Sequence, residues 1–230
     1  MILYDKYENE TAKDYAYRVI KANIMELNLK PGELVSEIDL AKKLNMSRTP
    51  IREVFIRLKS KRLVEVKPQI GTYVSYIDWK LVEESIFVRC TLEKEALRQA
   101  CIQFDEMMLH KMEECLIRQQ AIAEQSEQLL EFHELDKAFH RYLFNGINKY
   151  NVWDMVFNLS IHYSRMRLLA EKNLNKNFIV GEHSRYLDII KNKKIEEIDE
   201  AVETHIGEEL KVWEKLINQN QDMAHYIINR

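Results

Sequence analysis

Residues 44–55 read LNMSRTPIREVF, and their reading decides the architecture of the chain. Asn45 is one of the few residues that tolerates the left-handed backbone of a tight turn. Ser47 is a helix N-cap residue, and Pro50 falls within the first turn that follows, where a missing N–H removes no intrahelical bond. Ile51, Val54, Phe55 and Leu58 then recur at i, i+3, i+4 and i+7, the spacing of a buried helical stripe. Arg48, Thr49 and Arg52 are left on the exposed side, at the N-terminal end of the helix.

The flanking segments complete a pattern. Upstream, a helix is predicted from about Thr11 to Leu27, with Ala12, Ala16, Val19, Ile20 and Leu27 as its apolar stripe and Lys30-Pro31-Gly32 as its end. Ser36 then caps a short helix with Glu37 and Asp39 in its first turn, where the helix dipole favours carboxylates, and Leu44-Asn45 closes it. Downstream, LVEVKPQIGTYVSYI (residues 63–77) alternates as two short strands about Gly71. Helix, helix, tight turn, helix and hairpin predict a winged helix-turn-helix over residues 1–77. A helix that enters the DNA major groove end-on presents its first turn to the bases, where Arg pairs with guanine and Thr reaches phosphate. A solvated basic helix end used for protein contacts is the alternative.

Charge divides the chain in the same way. The 230 residues carry 34 Lys and Arg against 37 Asp and Glu, yet residues 1–76 hold 14 basic and 10 acidic side chains while the remainder holds 20 and 27. Residues 47–67 concentrate seven basic against two acidic, a patch suited to a polyanion. Hydrophobic residues make up 46%, which fits a globular protein, and no apolar run approaches the roughly 18 to 20 residues that span a bilayer. The charged N-terminus is no signal peptide, so a cytoplasmic location is expected. Cys90, Cys101 and Cys115 have neither zinc-knuckle nor disulfide spacing and are read as reduced core residues.

All three prolines lie in the first 70 residues, and after Gly71 only Gly146, Gly181 and Gly207 interrupt the chain. Residues 78–230 are therefore expected to form an antiparallel all-helical bundle of about six helices, with breaks near Phe104, Gln125, Lys149, Asn175 and Lys193. Leu81, Glu84, Val88 and Leu92 are expected to line one helix, and Leu129, Phe132, Leu135, Phe139 and Leu143 another.

The segment PGELVSEIDLAKKLNMSRTPIREVFIRLKSKRLVEVKPQIGTYV, with SRTPIRE as its most specific part, resembles the DNA-binding domain of GntR-type transcription regulators. The bundle behind it resembles the FadR-type, or FCD, effector domain. The resemblance implies that Ser47, Arg48, Thr49, Arg52 and the wing glycine Gly71 serve DNA binding, Ser47 by capping the recognition helix. Two positions depart from the family: Ile38 stands where many members have an Arg, leaving Lys42 or Lys43 to replace its phosphate contact, and Arg62 stands where a glycine usually precedes the wing.

In LDKAFHRYLF, Asp136 and His140 are spaced i, i+4 and share a helix face; His183 and His205 follow on predicted helices of their own. Three antiparallel helices can aim one carboxylate and three imidazoles at one point, a donor set suited to a first-row divalent metal. Scattered histidines of this kind also serve as surface or hydrogen-bonded core groups. The resemblance implies the metal, zinc or nickel, since FCD domains bind one through an Asp and three His in this order; His133 lies outside that pattern. It also implies a small organic acid as effector and a homodimer on an inverted-repeat operator in double-stranded DNA. Arg89, in an R-x-x-L-E motif, either pairs with an effector carboxylate or with Glu93 four residues on, and Arg165 and Arg167 are weaker candidates. The alternatives are a regulator that senses the ion itself and a metal-dependent hydrolase, for which no general base or nucleophile is evident.

Overall fold

In the computed structural model, which describes residues 1–171 and 176–230, Thr11 opens the first helix by accepting a hydrogen bond from the Asp14 N–H at 3.1 Å. That helix, α1, spans Ala12–Met25 and buries Ala16, Val19, Ile20, Asn23 and Ile24. The expected stripe is corrected at both ends: Ala12 is exposed, and Leu27 leaves the helix with a left-handed φ of 60°. Ser36 caps α2 (Glu37–Lys43) by accepting from the Asp39 N–H at 3.3 Å, and Asn45 makes the tight turn with φ 52°. In α3 (Arg48–Ser60) the residues Ile51, Val54, Phe55 and Leu58 are all buried. Ser47 holds the N-cap position with extended backbone, but its hydroxyl makes no capping bond. Ile38, on α2, is exposed, as are Lys42 and Lys43.

Arg62 explains why this position favours glycine. Its φ is 56°, a conformation that costs a side-chain-bearing residue about 1–2 kcal/mol. The turn is held by Arg62 N–H to Lys59 C=O at 2.9 Å, Leu63 N–H to Leu58 C=O at 3.0 Å and Ser75 Oγ to Arg62 C=O at 2.7 Å. Three net hydrogen bonds of about 1 kcal/mol each offset that strain.

The wing is antiparallel, β2 (Val64–Lys67) against β3 (Gly71–Val74), with Val64 opposite Val74 and Lys67 opposite Gly71. A third strand, β1 (Leu34–Val35), joins the other side of β3 with Leu34 opposite Tyr73. Two residues are too few to show a period, so β1 leaves no sign in the sequence. Its presence bears on Gly71, whose φ is 152° and where a Cβ would stand 2.7 Å from Leu34 Cδ1.

The chain divides into two compact units, Met1–Trp79 with Asp222–Arg230, and Lys80–Gln221. The C-terminal segment was expected in the bundle. Instead β5 (Ile227–Ile228) pairs in parallel with β4 (Ile77–Asp78), Ile77 N–H donates to Tyr226 C=O at 2.9 Å, and Asn229 Nδ2 donates to Asp78 Oδ2 at 2.9 Å. Met223 and Ile227 are buried with it.

The second unit is mainly helical: α4 (Trp79–Ile102), α5 (Glu106–Ile122), α6 (Leu129–Gly146), α7 (Tyr150–Leu159), α8 (Ile161–Glu171), α9 (Lys176–Asn192), α10 (Ile198–Val202) and α11 (Glu209–Gln219). A π-helical segment, Glu203–Gly207, joins α10 to α11. The expected break near Asn175 lies outside the described residues. A further break at Ser160 was not foreseen, because the apolar pattern runs through it; there Ser160 Oγ donates to Val156 C=O at 2.8 Å. The stripe expected on α4 is rotated: Glu84 is exposed, and Val82, Ser85, Ile86, Arg89, Glu93 and Leu97 face inward. Apolar periodicity misplaced this face because three of its residues are polar. Phe132, Leu135, Phe139 and Leu143 line the interior of α6 as expected. No described helix is long and apolar enough to cross a membrane.

Replacing Ile227 by Ala should cost about 2–4 kcal/mol, the range for truncating a buried Ile. Urea unfolding followed by far-UV circular dichroism measures it; a wild-type midpoint would mean that the tail adds nothing to the first unit.

Candidate metal centre and DNA-contacting face

On α6, Asp136 and His140 point one turn apart into the bundle; His183 comes from α9 and His205 from the π-helical segment. All four are buried, and one donor atom from each lies within 4.8 Å of all the others. Asp136 Oδ1 is 3.3 Å from His183 Nε2 and 3.8 Å from His140 Nε2, and His140 Nε2 is 3.2 Å from His205 Nε2. Two donors about 2.0–2.1 Å from one tetrahedral ion stand about 3.3 Å apart, so these edges suit a first-row divalent metal.

The proton arrangement agrees with that fit. His183 Nδ1 is 2.8 Å from Gln119 Oε1 on α5, so it carries the hydrogen and leaves the Nε2 lone pair facing the cluster. His140 Nδ1 stands 2.9 Å from Glu93 Oε2, at ion-pair distance without hydrogen-bond geometry. His183 Nε2 has no hydrogen-bond partner although it faces a carboxylate, since both are acceptors. A cation is the group that satisfies such an arrangement. Zinc or nickel would be held by Asp136, His140, His183 and His205 and would act there as a Lewis acid.

Around the cluster lies a buried ionic network. Burial opposes ionisation of Asp136, but a bidentate pair with Arg167, at 2.6 and 2.8 Å, holds its carboxyl well below the usual range. Burial likewise works against Glu93, while Arg89 and His140 bring it down to about 2. Burial depresses His183 to about 4 against the pull of Asp136, and burial with the two neighbouring imidazoles holds His205 well below its usual value. His183 and His205 are therefore neutral, the form that ligates metal.

Arg89 is engaged inside the protein. Its Nε and Nη2 lie 3.0 and 2.8 Å from Glu93 Oε1, and Nη1 donates to Tyr163 Oη at 2.5 Å. The space among Arg89, His133, Asp136, Ser164 and Arg167 is only about 20 Å³, enough for one water. A second cavity, of about 520 Å³, lies beside His205 and is lined by Phe178, Ile179, Thr204, Glu209, Val212 and Trp213. Sequence reasoning named the four donors, Arg89 and Arg167 but passed over Gln119, Tyr163 and Glu209, which no motif marks. Glu93 entered only as a partner for Arg89.

In the first unit Ser47, Arg48, Thr49 and Arg52 are exposed together at the start of α3. Arg52 Nε is 3.6 Å from Glu37 Oε2 with most of its side chain in solvent, a contact of small energy. Gly71 begins β3 at the base of the wing tip, where Ile70 is exposed.

Metal-free protein should lose stability as pH falls from about 6.5 towards 4. His183, which faces Asp136, His140 and Arg167, has a folded pKa below its unfolded one. Its neutral form is no handicap above 6.5, but the unfolded state alone takes the proton below it, worth about 3 kcal/mol at the acid end. Urea unfolding of His183→Gln across that window should show a shallower loss; equal slopes would refute the assignment.

Residues 12–74 match the family described as bacterial regulatory proteins, gntR family, and residues 84–208 match the FCD domain. The chain is 28% identical over 207 residues to the HTH-type transcriptional repressor RspR of Escherichia coli K12, covering 90% of each chain. It is 31% identical over 191 residues to an HTH-type transcriptional regulator in an unstable DNA locus of Streptomyces ambofaciens, covering 83% of this chain and 80% of that one. Among solved structures, McbR/YncC of E. coli is similar in fold, with a TM-score of 0.71 at 20% identity over 90% of this chain and 99% of the other.

Proposed function

This chain belongs to the GntR family of bacterial regulatory proteins and is a DNA-binding transcription regulator of the GntR/FCD type; we propose that it binds an inverted-repeat operator as a homodimer and that a small organic acid, bound beside a divalent metal in the helical unit, controls that binding. The observation that carries this reading is the buried cluster of Asp136, His140, His183 and His205, whose acceptor atoms face one another and call for a cation. One Asp and three neutral His leave a divalent ion with net positive charge, which attracts an anion. The cavity beside His205, at about 520 Å³, falls in the size range of small-molecule sites, and its apolar walls suit the carbon skeleton of a metabolite. Arg89 as an effector ligand would require the acid to displace Glu93 and Tyr163 from its guanidinium, so His205 and the metal are the nearer contacts.

On the DNA side Arg48 and Arg52 would read bases in the major groove, Thr49 and Ser47 would reach phosphates, and the wing from Gly71 would follow the backbone. The Ser47 hydroxyl, which makes no capping bond, can turn to that task. One such head covers few base pairs, and two-fold pairing of heads matches a palindrome. A cytoplasmic protein is the expected setting.

The closed space at Arg89 favours a second reading in which the ion itself is the signal.

Two measurements test the proposal. Arg48→Ala and Arg52→Ala should each reduce discrimination between operator and random DNA by about 5- to 150-fold, corresponding to about 1–3 kcal/mol per lost base contact. Unchanged discrimination in a gel-shift assay defeats the DNA-contact assignment. Thermal unfolding against a panel of organic acids, with and without metal stripping, tests the effector, because a ligand of the native state raises the midpoint. One acid stabilising only the metallated protein supports the proposal, whereas stabilisation by metal alone favours ion sensing.

A further inference from the structure

Glu93 is fully buried on α4 and uses its two oxygens in different directions. Oε1 takes the Arg89 guanidinium at 2.8 and 3.0 Å, while Oε2 lies 2.9 Å from His140 Nδ1 on α6. A buried ion pair is not a device for stability, since well-packed apolar side chains of similar volume commonly stabilise as much or more. Arg89 needs only one of the two oxygens, so the direction of the second calls for an account.

The three imidazoles of the cluster are backed differently. His183 Nδ1 meets the neutral amide of Gln119, and His205 Nδ1 has no hydrogen-bond partner. His140 is the histidine of the three with a carboxylate at Nδ1, 2.9 Å away at ion-pair distance though turned off hydrogen-bond geometry. A carboxylate behind a ligating imidazole fixes its tautomer and ring orientation and makes Nε2 a stronger donor to metal. Arg89 supplies the counter-charge that allows this carboxylate to remain ionised where no water reaches it.

We propose that Glu93 is the positioning residue of the metal centre, orienting His140 through Nδ1, and that Arg89 acts through Glu93 as its counter-ion. The inference rests on the metal reading of the Asp136, His140, His183 and His205 cluster. It gives Arg89 a task that requires no direct contact with an effector.

The test is Co²⁺ binding by the full-length protein, read by chelator competition and by the visible d–d spectrum. Glu93→Gln should weaken Co²⁺ binding by about 10- to 100-fold and alter the spectrum, as loss of such a partner does at other metal sites. Glu95→Gln, an exposed neighbour on the same helix, should do neither. Arg89→Met should weaken binding as well. Arg89→Met with Glu93→Gln leaves no uncompensated charge, and it should bind no more weakly than Glu93→Gln alone, because both substitutions interrupt one chain of contacts. Circular dichroism of the metal-free variants establishes which are folded. Wild-type affinity and spectrum in a folded Glu93→Gln or double variant overturn the proposal, and so do additive losses in the double variant. No Co²⁺ uptake by the wild type overturns the metal reading itself, and the role of Glu93 falls with it.

Discussion

The helical unit is organised around the bidentate pair between Asp136 and Arg167. An ionised carboxylate excluded from water is costly unless a cation faces it, and Arg167 does so through two short hydrogen bonds. That pairing leaves Asp136 charged at the point where three imidazoles converge. With Arg89, Glu93, Tyr163 and Glu209 in addition, the centre of the bundle is polar. Its apolar residues form a shell around this centre rather than the centre itself.

This inversion has consequences for both stability and function. Each member of the network depends on another: Tyr163 receives from Arg89 and donates to Glu209 at 2.7 Å, and Arg89 is fixed by Glu93. Removing one partner leaves a buried charge or dipole unmet, so these groups respond as a unit. The network joins side chains on several helices, among them α4 and α6. In the winged unit the dependence is different. There a conventional apolar core built on Val19, Ile20, Ile51, Val54 and Leu58 carries the exposed arginines, and Arg48, Thr49 and Arg52 are free to be polar because they lie outside it.

The stretch around Ser47 and Pro50 was legible because its signals are local: an N-cap, a proline allowed only near a helix start, and a stripe at helical spacing. The same holds for α2, for the wing and for Phe132, Leu135, Phe139 and Leu143 on α6. The candidate metal-ligating set was legible in its residue types and order, with the family resemblance supplying what spacing alone leaves open. The inward face of α4 was not, since apolar periodicity cannot recognise a helix whose buried residues include Ser85, Arg89 and Glu93. β1 was too short to show a period, and Ser160 breaks a helix without a Pro or Gly to announce it.

By itself the sequence determined the order of α1, α2, α3 and the wing, the helical character of the rest, the basic bias of the one and the acidic bias of the other, and the candidates for DNA and metal contact. These follow from rules that act over a few residues, where backbone sterics, capping and amphipathic spacing suffice. Tertiary structure decided which oxygen of Glu93 faces which helix, that Gln119 backs His183, that Arg89 is held internally, and that Ile227 and Ile228 pair with Ile77 and Asp78. Those contacts join residues far apart in the chain, and only packing confers the burial that keeps His183 and His205 neutral and the Arg167 partner that keeps Asp136 ionised beside them.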